Sequence, residues 1–114
     1  MREGAYGKAM IVYSLNGERV AEIVAQGAPL DSDSSVSELI DEARCSDAQW
    51  VVIPANRLSK DFFRRAANAA RFAQRFLRHR LRVAILGDVE APAGLPDNCV
   101  FLRDSNDLYT RLAK

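Results

Sequence analysis

The apolar and polar positions at the start of the chain follow the pattern of a β-hairpin. Two short apolar runs with β-branched residues, Lys8–Tyr13 and Glu18–Ala25, are joined through Leu15-Asn16-Gly17. Asn-Gly between two apolar runs is the strongest short-range hairpin signal. We therefore expect an antiparallel hairpin at this end of the chain.

Two helical patterns follow the hairpin. Ser35 and Glu38 have the spacing of a capping box, which predicts a first helix from about Val36 to Cys45 with an acidic outer face. A second, longer pattern predicts one continuous helix over 59–79, with Ser59 as its N-cap. Its apolar stripe recurs at three- and four-residue spacing. The residues predicted to pack on the sheet are Phe62, Ala66, Ala69, Ala70, Ala73, Phe76 and Leu77.

Continuous apolar runs on both sides of the long helix are typical of strands that are buried on both faces. These runs are Gln49–Pro54 and Leu81–Gly87. Strand, helix and strand form a crossover unit, which places the two strands parallel. The segment Val89–Asn98 has proline and glycine turn chemistry and predicts a loop, and Cys99–Leu102 predicts a last strand.

The C-terminal pattern completes the predicted fold. Asp104 and Ser105 cap a terminal helix in which Leu108 and Leu112 face inward, with Tyr109 as a further candidate for that face. The fold class is therefore α/β: an N-terminal hairpin, then alternating helices and strands, with a mixed, largely parallel sheet of four or five strands. We expect one domain over 1–114, with residues 1–7 disordered.

The composition is that of a globular protein. Of the 114 residues, 48% are hydrophobic and 27% are charged, and the net charge is +1. No apolar run reaches the roughly 18 residues of a membrane span, and no apolar leader is apparent, so we expect a cytoplasmic protein without membrane contact. Cys45 and Cys99 have no partner at ligand spacing and are predicted to be buried free thiols. No metal or cofactor is expected.

Positive charge is concentrated on the long helical pattern. From Arg57 to Arg82 there are nine basic residues and a single acidic one, Asp61. Helical spacing predicts an outward arginine ridge opposite the core, formed by Arg64, Arg71, Arg75 and Arg78. Three interpretations remain open: a solvated face, a surface for a protein partner or a second copy, or a nucleic-acid surface. The near-neutral net charge disfavours nucleic acid.

A second candidate site lies where two predicted parallel strands end. Ligands of parallel sheets bind beyond the carboxyl ends of the strands, and these ends carry Asn56, Arg57, Ser59 and Asp88. This rim would hold a small anion on Arg57; alternatively, Asp88 pairs with Arg57 or caps a turn. His79 lies between arginines at a helix end and is expected at the surface. With no catalytic motif in the sequence, we expect no enzyme activity.

Two strings of residues resemble a known family. They are the segment 52–63, from Val52 to Phe63, and the segment 80–88, from Arg80 to Asp88. Both resemble the bacterial domain-of-unknown-function family 4180, which implies no established activity. Relative to that family, this chain has more arginine in the first half of the long helix and a shorter connection after Asp88.

The order of elements is also similar to that of the STAS domain of sulphate transporters and anti-sigma-factor antagonists. That similarity implies a regulatory role and places Ser59 near the position of a phosphorylated serine. The surrounding residues differ from the STAS pattern, so a plain N-cap is the preferred interpretation. Together these observations predict a non-catalytic cytoplasmic regulatory or protein-interaction module. The alternatives are weak nucleic-acid binding through the arginine ridge and a small-anion sensor at the rim.

Overall fold

The computed structural model describes residues 10–112, and the expectation for residues 1–7 lies outside them. Five strands form one sheet whose spatial order equals the chain order. The first pair is antiparallel and the other pairs are parallel, which confirms the mixed, largely parallel sheet. The strands are β1 (Met10–Leu15), β2 (Glu18–Ile23), β3 (Trp50–Pro54), β4 (Arg82–Leu86) and β5 (Cys99–Leu102).

The hairpin between β1 and β2 forms as predicted. Asn16 and Gly17 have φ angles of 53° and 87°, the left-handed pair of a two-residue turn that matches strand twist. Asn16 also donates a side-chain hydrogen bond to the carbonyl of Leu112. The turn is therefore attached to the C-terminal end of the described chain.

The helices cover the two faces of the sheet unequally. They are α1 (Asp33–Cys45), α2 (Lys60–Arg64), α3 (Ala66–Leu77) and α4 (Ser105–Leu112). Alternation along β3 sends Val51 and Ile53 into the core beneath α1, α2 and α3, and sends Trp50 and Val52 into the core beneath α4. This is why β3 reads as a continuous apolar run.

Helix α1 begins three residues earlier than predicted. The N-cap is Ser32, whose Oγ accepts a hydrogen bond from the amide of Ser35 at 3.2 Å, so the prediction of Ser35 as the cap is wrong. Several residues between 31 and 35 have side chains able to cap. The earlier start places Asp33 in the first turn, where the helix dipole favours a carboxylate.

The predicted single helix over 59–79 is also wrong, because the chain breaks at Arg65. Its φ and ψ of −135° and 137° are extended and separate α2 from α3. Asn68 Nδ2 donates to the carbonyl of Asp61 at 2.6 Å, the acceptor that the Arg65 amide would use in a continuous helix. An asparagine side chain competing with the backbone in this way interrupts a helix.

The break changes which side of α3 meets the sheet. Its buried residues are Ala69, Phe72, Ala73 and Phe76. Phe72, absent from the predicted stripe, stacks edge-on against Phe62 of α2 at a centroid distance of 5.1 Å. Leu77, predicted to be in the core, is 50% exposed, and Ala66 is exposed as well.

The connection from β4 to β5 is a loop, as predicted, and Asn98 fixes its end. This side chain is 7% exposed, and its Nδ2 donates to the carbonyls of Ala73 and Leu81, each at 3.0 Å. In α4, Leu108 and Leu112 are buried as predicted, whereas Tyr109 is 44% exposed.

Replacing Asn98 with alanine should lower the free energy of unfolding by about 2 kcal/mol, because two buried carbonyls lose their donor. The neighbouring Asp97 is exposed, so Asp97→Ala should change stability by less than about 0.5 kcal/mol. Urea denaturation of both variants measures the difference. Equal effects would show that Asn98 does not hold the loop.

Candidate functional site

Arg57, the centre of the predicted anion-binding rim, is a buried structural residue. It ends a short 3₁₀ turn after β3 and is 4% exposed. Nη1 donates to the carbonyls of Val24 and Gln26 at 2.8 and 2.9 Å, and Nε donates to the carbonyl of Ala28 at 3.0 Å. The guanidinium therefore binds the backbone of the segment between β2 and α1.

Gly27 lies against this guanidinium. Its φ of 141° falls in a region that favours glycine, and a Cβ at this position would lie 2.6 Å from Arg57 Cζ. Any larger residue would displace the arginine or the loop. Conformation and close approach therefore both require glycine here.

Two neighbours of Arg57 bind the same segment. Asn56 Nδ2 donates to the carbonyl of Ala25 at 2.7 Å. Asp31 accepts from the amide of Ser59 at 3.0 Å and from its hydroxyl at 2.5 Å. Ser59 stands at the N-cap position of α2 but its side chain makes no capping bond there. The predicted capping role of its hydroxyl is wrong: the hydroxyl is directed at Asp31, to which it donates, and its oxygen accepts no amide of the first turn of α2.

The structure thus brings together three of the four predicted rim residues, and all three hold the β2–α1 segment. Asp88 does not join them. It is exposed and lines a separate depression with Gly87, Arg103 and Asp107. The alternative expectation, that Asp88 pairs with Arg57, is also wrong, because carbonyl oxygens take the guanidinium.

The four arginines of the predicted ridge differ in their contacts. Arg64 forms an exposed ion pair with Asp61 at 3.3 Å, a contact of small energy in water. The side chain of Arg75 is only 26% exposed and pairs with Asp33 of α1 at 3.1 Å. It also donates to Ser37 Oγ at 2.8 Å. Arg75 therefore joins α3 to α1, and the prediction that it faces solvent is wrong.

Arg71 and Arg78 remain as the free part of the ridge. Both are exposed, and neither side chain makes a hydrogen bond or ion pair with another residue of the described 10–112 segment. The half-exposed Leu77 lies beside Arg78 in the chain. The outer face of α3 thus presents two unpaired guanidinium groups, whereas Leu77 lies on an adjoining flank of the helix and lines a depression with Trp50 and Asn98.

Groups with catalytic or ligand chemistry are dispersed. Within residues 10–112 there is no cluster of three or more histidine, cysteine or acidic residues that could hold a metal ion. Cys99 is buried, and burial raises the pKa of its thiol to about 12. Cys45 is exposed, contrary to the prediction, because the last turn of α1 directs it away from the core. His79 is exposed, as predicted, and its Nδ1 lies 3.5 Å from Arg44 Nη1.

A comparison with known families decides the relationship that the two residue strings suggested. The domain of unknown function DUF4180 matches residues 15–112. The chain belongs to the DUF4180 family. The match covers the β1–β2 turn, the Arg57 linkage and α3. No curated protein and no solved structure matches the chain. The similarity to STAS domains stays a prediction for this DUF4180 protein.

None of the helices that the structure describes in this DUF4180 protein is long and apolar enough to cross a membrane. Sequence reasoning missed Gly27 and Asp31, which complete the Arg57 linkage. A glycine soon after a strand was the available signal, but it does not reveal which distant side chain approaches it.

Gly27→Ala should lower the free energy of unfolding by about 3 kcal/mol, since it adds a steric clash to an unfavourable φ. Gly94→Ala is the matched control. Gly94 also has a positive φ, 80°, but nothing lies within 4 Å of a Cβ there, so its cost should be about 1 kcal/mol. Thermal and urea unfolding compare the two. Similar losses would mean that contact with Arg57 does not constrain Gly27.

Proposed function

We propose that this DUF4180 protein is a non-catalytic cytoplasmic interaction module that binds an acidic protein surface through the outer face of α3. One observation carries the proposal: Arg71 and Arg78 are exposed and unpaired within the described residues, whereas Arg64 and Arg75 have carboxylate partners. Guanidinium groups bind carboxylates through two parallel hydrogen bonds. The two free arginines therefore fit an acidic partner.

The chemistry of arginine and the net charge favour a protein partner over nucleic acid. Arginine is enriched in protein interfaces and is among the residues that contribute most to their binding energy. The net charge of +1 agrees, since domains that bind nucleic acid by charge are usually strongly basic.

The test is capture of cross-linked partners from the native cell with three tagged proteins. These are the wild type, Arg71→Gln/Arg78→Gln, and the control Arg103→Gln/Arg111→Gln. The control removes the same charge from exposed arginines at the other end of the chain. We expect Arg71→Gln/Arg78→Gln to capture at least about fivefold less partner than the wild type, because two ion pairs of up to about 1 kcal/mol each disappear. Its melting temperature should stay near that of the wild type.

An unchanged set of partners would contradict the proposal. Fluorescence anisotropy with labelled duplex DNA at about 50 and 200 mM salt tests the nucleic-acid alternative. Salt-sensitive binding that the first variant loses would replace the proposal with that alternative. A dimer that sediments as such in the wild type, but not in the variant, would identify a second copy as the partner.

The rim residues Asn56, Arg57, Ser59 and Asp88 stay a predicted ligand site that no contact supports.

A further inference from the structure

The turn that ends α3 contains an arginine where glycine is the favoured residue. Arg80 has a φ of 60°. The amide of Leu81 donates to the carbonyl of Phe76 at 3.0 Å, and the amide of Arg80 donates to the carbonyl of Leu77 at 2.9 Å. This pair of bonds defines a Schellman motif, whose left-handed position is usually occupied by glycine.

No contact of the Arg80 side chain within residues 10–112 compensates for this unfavourable backbone conformation. The side chain is exposed and makes no hydrogen bond or ion pair with a residue of 10–112. Residues with a Cβ avoid the left-handed region, and unfavourable backbone geometry of this kind occurs preferentially at functional sites. The position suggests a role for the side chain outside the folding of the chain.

The last turn of α1 extends the positive charge around Arg80. Arg44 Nη1 lies 3.5 Å from Nδ1 of His79, which places the ends of α1 and α3 side by side. Arg44, Arg78, His79 and Arg80 are all exposed. Asp41 and Asp47 of the α1 end are exposed too, yet neither forms an ion pair with them. The four side chains thus form one basic surface, the helix-end patch.

The chemistry of the helix-end patch favours a segment with several carboxylates over a small anion. Helix C-termini present carbonyl oxygens, so no free backbone amides surround an anion here, as they would at a helix N-terminus. Only the four side chains of the patch, which are spread over two helix ends, can contact a ligand. Such an arrangement fits a peptide segment whose carboxylates are spaced along its length.

We propose that the helix-end patch of Arg44, Arg78, His79 and Arg80 binds a carboxylate-rich segment of the protein partner. The inference rests on the proposed function and extends its surface from the outer face of α3 to the ends of two helices. Cations are also favoured at helix C-termini by the dipole, so stability has to be measured beside binding.

The test measures fluorescence anisotropy of a fluorescein-labelled octaglutamate peptide, at about 50 mM salt, with the full chain and its variants. Arg80→Gly should weaken binding about two- to fivefold, the effect of one exposed ion pair. The same variant should keep or raise the melting temperature, because glycine suits the left-handed position. Arg44→Gln/Arg80→Gly should weaken binding further. Arg103→Gln is the control and should bind like the wild type.

Two results would overturn the inference. One is unchanged octaglutamate binding by Arg80→Gly, whatever its melting temperature; the other is absence of octaglutamate binding by the wild type, whether or not it binds labelled duplex DNA. If Arg80→Gly binds fully while Arg71→Gln/Arg78→Gln loses its captured partner, only the helix-end patch is wrong. If that double variant keeps its partner, the proposed function itself is wrong.

Discussion

The fold depends on a positive charge that is solvated by backbone instead of water. Arg57 is buried, and three carbonyl oxygens of the β2–α1 segment bind its guanidinium. A buried charge without such partners would be very unfavourable, so the segment and the arginine must adopt their positions together. The amide of Leu30 donates in turn to the Arg57 carbonyl at 2.7 Å. The segment then reaches Asp31, whose carboxylate fixes Ser59 at the start of α2.

This linkage explains why the arginines of the chain serve two purposes. Arg57 and Arg75 attach one segment to another, and a ligand that took the N–H groups used in these contacts would break the attachment. Arg44, Arg71, Arg78 and Arg80 lie on the surfaces that these attachments leave open. The basic residues that cluster in the sequence therefore include both arginines with internal contacts and arginines without them, and only the second group supports a binding surface. The family match covers both groups without assigning either of them an activity.

Local patterns were sufficient for the parts of the fold that depend on local chemistry. The Asn16-Gly17 turn, the buried strands and the last strand follow from turn preference and apolar runs. The break at Arg65 could not be predicted, because it depends on whether Asn68 faces solvent or takes the carbonyl of Asp61. The burial of Arg57 could not be predicted for a similar reason: the carbonyl groups that accept its hydrogen bonds lie 29 to 33 residues earlier in the chain. A cation after a strand resembles a ligand site until the segment that covers it is known.

The division between attached and free arginines is most directly tested by hydrogen exchange of the arginine Nε–H groups, followed by NMR with assigned side-chain signals. Arg57 Nε donates to the carbonyl of Ala28, so we expect its proton to exchange slowly and to require opening of the β2–α1 segment. The Nε protons of Arg71 and Arg78 should exchange at rates near those of exposed side chains. If the Arg57 proton exchanged as rapidly as that of Arg78, the buried linkage would not exist, and the assignment of the free arginines to a binding surface would lose its basis.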